Sequence, residues 1–382
     1  MPLNHLELQP QIKEFAANAS QAQLQAQEKL RIALEWLHEC ALTPLDGWQG
    51  HLNASSQRCA VPGDEKMDAG FACGQKTFDG MILSADGSQI IPSAHDSVPL
   101  SLINTSLICL DAGASSAPQI SLRTEILKEE HEGVELPLLS EDLINLKRDV
   151  SELRVLADWQ APEETPVVAL RDGPLELYHE PRQGAEFAQA FQVYQTLLKE
   201  LAKRKFILAG YIDRSRAALL ANMLEIFADK NLEKQPGVSL EGLSDVVLMG
   251  ALLPAGQRSA IYKLHSSSSE YYKGDLAVYF FYLNVSRNRE PYIVRVEVPA
   301  WVARSAGEVN KLHCALLEQC RLMGSRPYPY LLHRAHEEAV VHQDEKESLQ
   351  NALAVEMQRQ GLDCPLPSNK LSAKELQSRT RI

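Results

Sequence analysis

The sequence predicts an α/β fold: a mixed β-sheet flanked by helices, with a helical extension at the N-terminus. Three observations carry this prediction. Short apolar runs of strand length recur along the chain, as in Met81 to Asp86, Val167 to Asp172 and Lys205 to Asp213. Helical stretches are interleaved with these runs, and some connections are of hairpin type, which together point to a mixed sheet. Ahead of the first run, residues from about 8 to 42 are rich in Gln, Ala, Leu and Glu and lack Pro and Gly after Pro10, the composition of one long amphipathic helix.

That helix is expected to end near Thr43-Pro44 and Asp46-Gly47, and residues 47 to 76 show no clear periodicity and read as irregular connection. The Met81 run reads as a buried strand that turns sharply at Asp86-Gly87. Ser97 to Ile108 partly alternates and suggests a further strand, beside which Ile120 to Leu127 can pair. Ser140-Glu141-Asp142 is a cap for a helix running to about Asp158. The strand from Val167 ends at Asp172-Gly173. Helices are expected over about 186 to 203 and 215 to 228, with the third run between them. Residues 229 to 274 are loop-rich with a short helix near 243 to 252. Leu276 to Val285 and Tyr292 to Val298 are two more strands. Helices near 306 to 322, 331 to 341 and 346 to 360 follow, and the tail from Cys364 to Ile382 is polar and expected to be loosely held.

The chain has 382 residues, 45% apolar and 23% charged, enough for one large domain with additions or for two domains. No apolar stretch approaches the ~18 residues of a membrane span. The first residues carry no basic region followed by an apolar core, so no secretory signal is expected and a cytoplasmic location is. The seven cysteines are scattered and form no Cys-x-x-Cys pair, which fits reduced thiols better than a zinc site or disulfide framework. A net charge of −12 argues against a protein that coats nucleic acid by long-range attraction. It leaves room for a local basic channel, for which Lys199 to Lys205, Arg214, Arg216, Arg321, Arg326 and Arg334 are candidates. For the Lys199 to Lys205 run an ordinary solvated helix end is the simpler reading.

Asp86 and Asp172, each closing a strand-like run, are the first candidates for chemistry. Acidic residues at neighbouring strand ends can hold divalent cations, and such cations break phosphodiesters. A lone Asp-Gly after a strand is most often a turn; two of them with a third acid on an intervening helix say more. That helix, Asn145 to Arg154, offers Glu152 or Asp149, although Glu152 is equally placed to pair with Arg148 one turn earlier. Near the C-terminus, Tyr328, Tyr330, His333 and His336 form an aromatic and histidine cluster. The His-Glu-x-x-His spacing of zinc peptidases is absent, since His336-Glu337 is followed by His342. Unaided, His336 reads as a capping or packing histidine. No phosphate-binding Gly-x-x-x-x-Gly-Lys-Ser/Thr loop, Gly-x-Gly-x-x-Gly turn or Gly-x-Ser-x-Gly elbow occurs.

Five stretches in order resemble the NurA nucleases. They are Ala85-Asp86-Gly87-Ser88, Arg171-Asp172-Gly173-Pro174-Leu175, Ala209 to Arg214, Arg295 to Trp301 and Tyr328 to His336, spanning roughly residues 80 to 345. The resemblance implies an RNase H-like domain at 77–345 between a helical extension (1–76) and a C-terminal helix and tail (346–382). It further implies metal-dependent cutting of DNA, a homodimer, and work beside the hexameric ATPase and translocase HerA in DNA end resection. Carried over by position, Asp86, Glu152, Asp172 and His336 would bind metal, and these four with Tyr328 would be catalytic; Tyr330 is a rival for the tyrosine. Mn²⁺ or Mg²⁺ is the implied ion, and an imidazole ligand would favour Mn²⁺. The other reading is a NurA-like subunit that binds DNA or a translocase without cutting. The first 75 residues have no counterpart in the resemblance.

Overall fold

The computed structural model describes residues 4–92, 100–114, 116–127, 139–177, 184–232 and 238–361. Its helices are α1 (His5–Leu42), α2 (Gln49–Ala54), α3 (Glu141–Asp158), α4 (Ala185–Lys203), α5 (Leu219–Asn231), α6 (Asp245–Leu252), α7 (Ala300–Ala303), α8 (Ala306–Leu322), α9 (Tyr330–Ala339) and α10 (Gln343–Arg359). Its strands are β1 (Cys59–Pro62), β2 (Phe71–Ala72), β3 (Met81–Ile90), β4 (Leu102–Asp111), β5 (Gln119–Ile126), β6 (Val167–Asp172), β7 (Ile207–Ile212), β8 (Gln257–Arg258), β9 (Tyr262–His265), β10 (Val278–Asn284) and β11 (Ile293–Pro299). They make a mixed sheet of 11 strands, as the alternation of apolar runs and helices led us to expect. No described helix is long and apolar enough to cross a membrane. The six described cysteines are free thiols; Cys364 and the polar tail lie outside the described residues, as do residues 97 to 99 of the Ser97 run.

Contacts divide the chain into two compact units. The first comprises Met1–Lys76, Gly173–Glu176 and Gly210–Pro327. Its antiparallel strands run β1-β9-β10-β11 and end on the second half of β7, where Glu297 pairs with Gly210. Residues 47 to 76, expected to be irregular, carry α2, β1 and β2. β1 and β2 are four and two residues long, too short to show a period, and their partners β9 and β8 lie some two hundred residues away. α1 packs on α5 and α6, and Ala33, Leu37 and Cys40 in its second half are buried. Asp245 caps α5, accepting the Leu220 and Ala221 amides at 3.0 and 3.1 Å and the Tyr282 hydroxyl at 2.6 Å.

The second unit comprises Thr77–Asp172, Leu177–Ala209 and Tyr328–Ile382. β3 lies at its centre. It pairs antiparallel with β4 from Met81↔Asp111 to Ile90↔Leu102, and parallel with β6 from Met81↔Val167 to Ala85↔Arg171. β5 continues the meander beside β4, as the Ile120 run suggested. α3 and α4 pack together, and α3 and α9 both rest on β3. α3 begins where the capping signal placed it, with the Ser140 hydroxyl accepting the Leu143 amide at 3.3 Å.

The expected turn at Asp86-Gly87 is absent, and the ladder with β4 runs unbroken through Gly87 to Ile90. Gly87 serves close approach instead. A Cβ there would stand 2.7 Å from Arg148 Cγ and 3.1 Å from Glu152 Oε1, so the missing side chain is what lets α3 lie on the strand. Gly87→Ala is therefore expected to lower stability by about 1–3 kcal/mol, the cost of overpacking, measured as a fall in the urea midpoint. The junction after β6 does turn: Asp172 ends the strand and Gly173 takes φ +92°.

Candidate active site

The site lies within the second unit and follows from the register of its central strands. Because Ala85 pairs in parallel with Arg171, the next residues, Asp86 and Asp172, sit side by side. Alternation sends both to one face of the sheet and sends Gly87 and Arg171 to the other. On the face of Asp86 lies α9. Asp86 is buried, its Oδ1 accepting the Gly87 amide at 2.9 Å and its Oδ2 lying 2.8 Å from His336 Nδ1. His336 is in the last turn of α9 with its ring otherwise open to solvent. Tyr328, two residues before the helix, is half-buried and donates a hydrogen bond to the Asp172 carboxylate.

Asp172 stands at the exposed end of its strand, yet the protein packed around its carboxyl withholds water and pushes its pKa up. The Asp86 carboxylate adds to that rise, while Tyr328 and His336 oppose it. The structure thus brings together Asp86, Asp172, Tyr328 and His336, two carboxylates held close enough to repel, with an imidazole and a phenol beside them.

Glu152 lies on the opposite face. It is buried and held by Arg171, with Nη2 at 2.9 Å and Nε at 3.3 Å from its Oε2. The same guanidinium donates to Asp149 at 2.8 Å and to the Tyr194 hydroxyl at 3.1 Å. Glu152 is pushed up to about 8, by burial first; Arg171 and Arg148 oppose that rise, and the Asp149 and Asp86 charges add to it. Since the folded state holds this proton more tightly than the unfolded chain, the contribution of Glu152 to stability is greatest below about 4.5 and falls as pH climbs toward 8. The melting temperature of metal-free protein should decline over that window, and less steeply in Glu152→Gln.

Among the other candidates, His333 pairs with Glu337 at 3.4 Å, and Arg334 with Glu337 and Glu338 at 2.6 and 2.7 Å. Tyr330 is the first residue of α9.

Sequence reasoning missed what holds α9 in place. Ser106 donates to the Ala335 carbonyl at 2.6 Å, and Asn104 donates to the Ala339 carbonyl at 2.9 Å, which Ser88 also reaches. Ser88 and Ser106 face Asn104 and Asp86 across the β3–β4 ladder, so one polar patch anchors the helix that carries His336. The signal was present: Ser84, Asp86 and Ser88, and Asn104 and Ser106, recur at every second position of otherwise apolar strands.

The chain matches the NurA domain over residues 80–341. It belongs to the NurA domain family. None of the curated proteins compared with it matches. Among solved structures, the NurA nuclease from Sulfolobus solfataricus is similar with a TM-score of 0.50 and 11% identity, covering 90% of this chain and 98% of that one. The catalytic domain of human Endonuclease V gives a TM-score of 0.34 at 16% identity, over 80% of this chain and 94% of that one. Endonuclease V from Bacillus subtilis gives 0.32 at 12% identity, over 72% and 86%. The architecture of the NurA domain is RNase H-like, with helices flanking its mixed sheet. Family membership supports a nuclease, and so an enzyme acting on DNA.

Proposed function

We propose that this NurA domain is a metal-dependent deoxyribonuclease that hydrolyses phosphodiester bonds in single-stranded DNA and at DNA ends. The observation that carries the reading is that Asp86 and Asp172 directly follow the last parallel pair of β3 and β6, with His336 2.8 Å from Asp86 and Tyr328 bonded to Asp172. The donor chemistry fits a divalent cation. Burial raises the pKa of Asp172 and the neighbouring Asp86 carboxylate adds to that rise; a cation between the two removes their repulsion. Among the described residues no three His, Cys, Asp or Glu side chains already converge as a ligand set. Asp86, Asp172 and His336 would hold the ion, the imidazole favouring Mn²⁺ over Mg²⁺; Glu152 would join only on leaving Arg171. A bound divalent ion supplies a lowered pKa for water and neutralises phosphate charge.

The protein's own groups do the rest. Asp86 fixes the His336 ring by its hydrogen bond, and Ser88, Asn104 and Ser106 fix the helix that carries it. Tyr328 orients Asp172 and presents an aromatic face on which a base can stack or a hydroxyl that a phosphate can meet. In our reading residues 77–345 form the nuclease domain, with 1–76 and 346–382 as extensions. The chain works in the cytoplasm as a homodimer, beside a HerA-type hexameric translocase in end resection. With a charge of −12, DNA has to be gripped narrowly or fed in by that partner.

One observation favours a second reading, a NurA-like subunit that binds DNA or a translocase and cuts nothing: Glu152 is tied to Arg171 rather than turned toward the aspartates. Incubation of the purified chain with single-stranded DNA and Mn²⁺ separates the two. The nuclease reading expects degradation that a chelator stops. No cutting by the wild-type chain, alone or with a co-purified translocase, selects the scaffold.

A further inference from the structure

Helix α1 carries an apolar stripe that is buried in its second half and bare in its first. Leu8, Ile12, Phe15, Ala19, Ala22 and Ala26 follow one another at alternating steps of four and three, and the same face continues through Leu30 to the buried Ala33, Leu37 and Cys40. Leu8 is half-buried. Beyond it, every described side chain from Gln9 to Glu28 is exposed, Ile12 at 61% and Phe15 at 76%. With 38 residues the helix is about 57 Å long. A helical segment bare on all sides is marginal in water, because most helix stability in proteins comes from packing an apolar face.

We propose that this stripe is covered by the same segment of a second copy of the chain, the two helices running antiparallel. The pattern of sizes selects that arrangement. In antiparallel packing Leu8 meets the partner's Ala26, Ile12 the partner's Ala22, and Phe15 the partner's Ala19, each layer occurring twice by symmetry. Every layer then joins one large side chain to one alanine, and the helix axes stay evenly spaced. A parallel pair would set Phe15 on Phe15 and Ala22 on Ala22, wide and narrow layers two turns apart. The residues flanking the stripe are Gln9, Gln11, Ala16, Asn18, Gln23 and Gln25. None is charged, so two identical edges meet without like-charge repulsion, as a self-complementary contact requires. A partner of different sequence would find no charge pattern to read there. The overlap uses the bare segment and stops short of Leu30, where the helix returns to its own unit.

The inference rests on the homodimer proposed above and names the surface that makes it. Light scattering on the full chain, with site-directed crosslinking, tests both. Phe15→Glu is expected to weaken association by about tenfold or more, since it sets a charge in the seam, while Leu24→Glu, equally exposed but off the stripe, leaves it unchanged. A short bismaleimide should crosslink Asn18→Cys to itself, and Gln9→Cys only when mixed with Gln23→Cys. Self-crosslinking of Gln9→Cys would overturn the antiparallel register. A dimer that Phe15→Glu leaves intact overturns this interface and spares the homodimer; a monomeric wild-type chain overturns both.

Discussion

Asp86→Asn is expected to lower cleavage of single-stranded DNA in Mn²⁺ by about 10²–10³-fold or more, the scale seen when one preorganised electrostatic group is removed from an active site. Asp86 is central for two reasons of position. It follows the last parallel pair of β3 and β6, as Asp172 does, and it holds the His336 ring at 2.8 Å, so its replacement removes one proposed ligand and weakens the hold on another. The amide keeps the size of the carboxylate and can still bond the imidazole, so the fold should persist. Unchanged melting with lost cleavage is the expected pair of results, measured on the same preparation. If cleavage survives in both Asp86→Asn and Asp172→Asn, the chemistry lies elsewhere in the chain.

Arg171→Met is expected to have the largest effect on stability. The guanidinium is buried and shared by Asp149, Glu152 and Tyr194 at 2.8 to 3.1 Å. Its removal leaves Asp149, and Glu152 wherever it is ionised, buried without a countercharge, and breaking such a cluster costs about 3–5 kcal/mol. Urea unfolding should show this as a large fall in midpoint. Adding Glu152→Gln to the variant should recover part of the loss, because a neutral amide needs no countercharge. A double variant as unstable as the single one would mean that Arg171 acts mainly by packing.

Those two residues also show where sequence reasoning reached and where it stopped. Asp172 was legible because a strand-length apolar run ends on it and Gly173 must then adopt positive φ; both features are local. Asp86 was found for a reason that the structure replaces. Its glycine neighbour signals a turn in isolation, but in the fold it makes room for α3, a fact of packing that no local pattern carries. The grip of Arg171 on Glu152 depends on the parallel register of β3 and β6 and on α3 crossing at Gly87, so the sequence showed only a helical acid with an arginine one turn before it. The long helix α1 was plain from composition, whereas β1 and β9 were invisible, being short and paired across most of the chain. His336 was legible only through the order of motifs; its use depends on Ser88, Asn104 and Ser106, whose polarity inside apolar strands was the overlooked sign.

In the proposed nuclease, Asp86 and Asp172 together hold the cation on which cleavage depends. Electron paramagnetic resonance of Mn²⁺ titrated into metal-free protein tests it without reference to activity, since bound Mn²⁺ loses the sharp signal of the free ion. The wild-type chain is expected to bind Mn²⁺, and binding to be lost in Asp172→Asn and in Asp86→Asn. Binding of undiminished strength in both variants would contradict that role of the two aspartates.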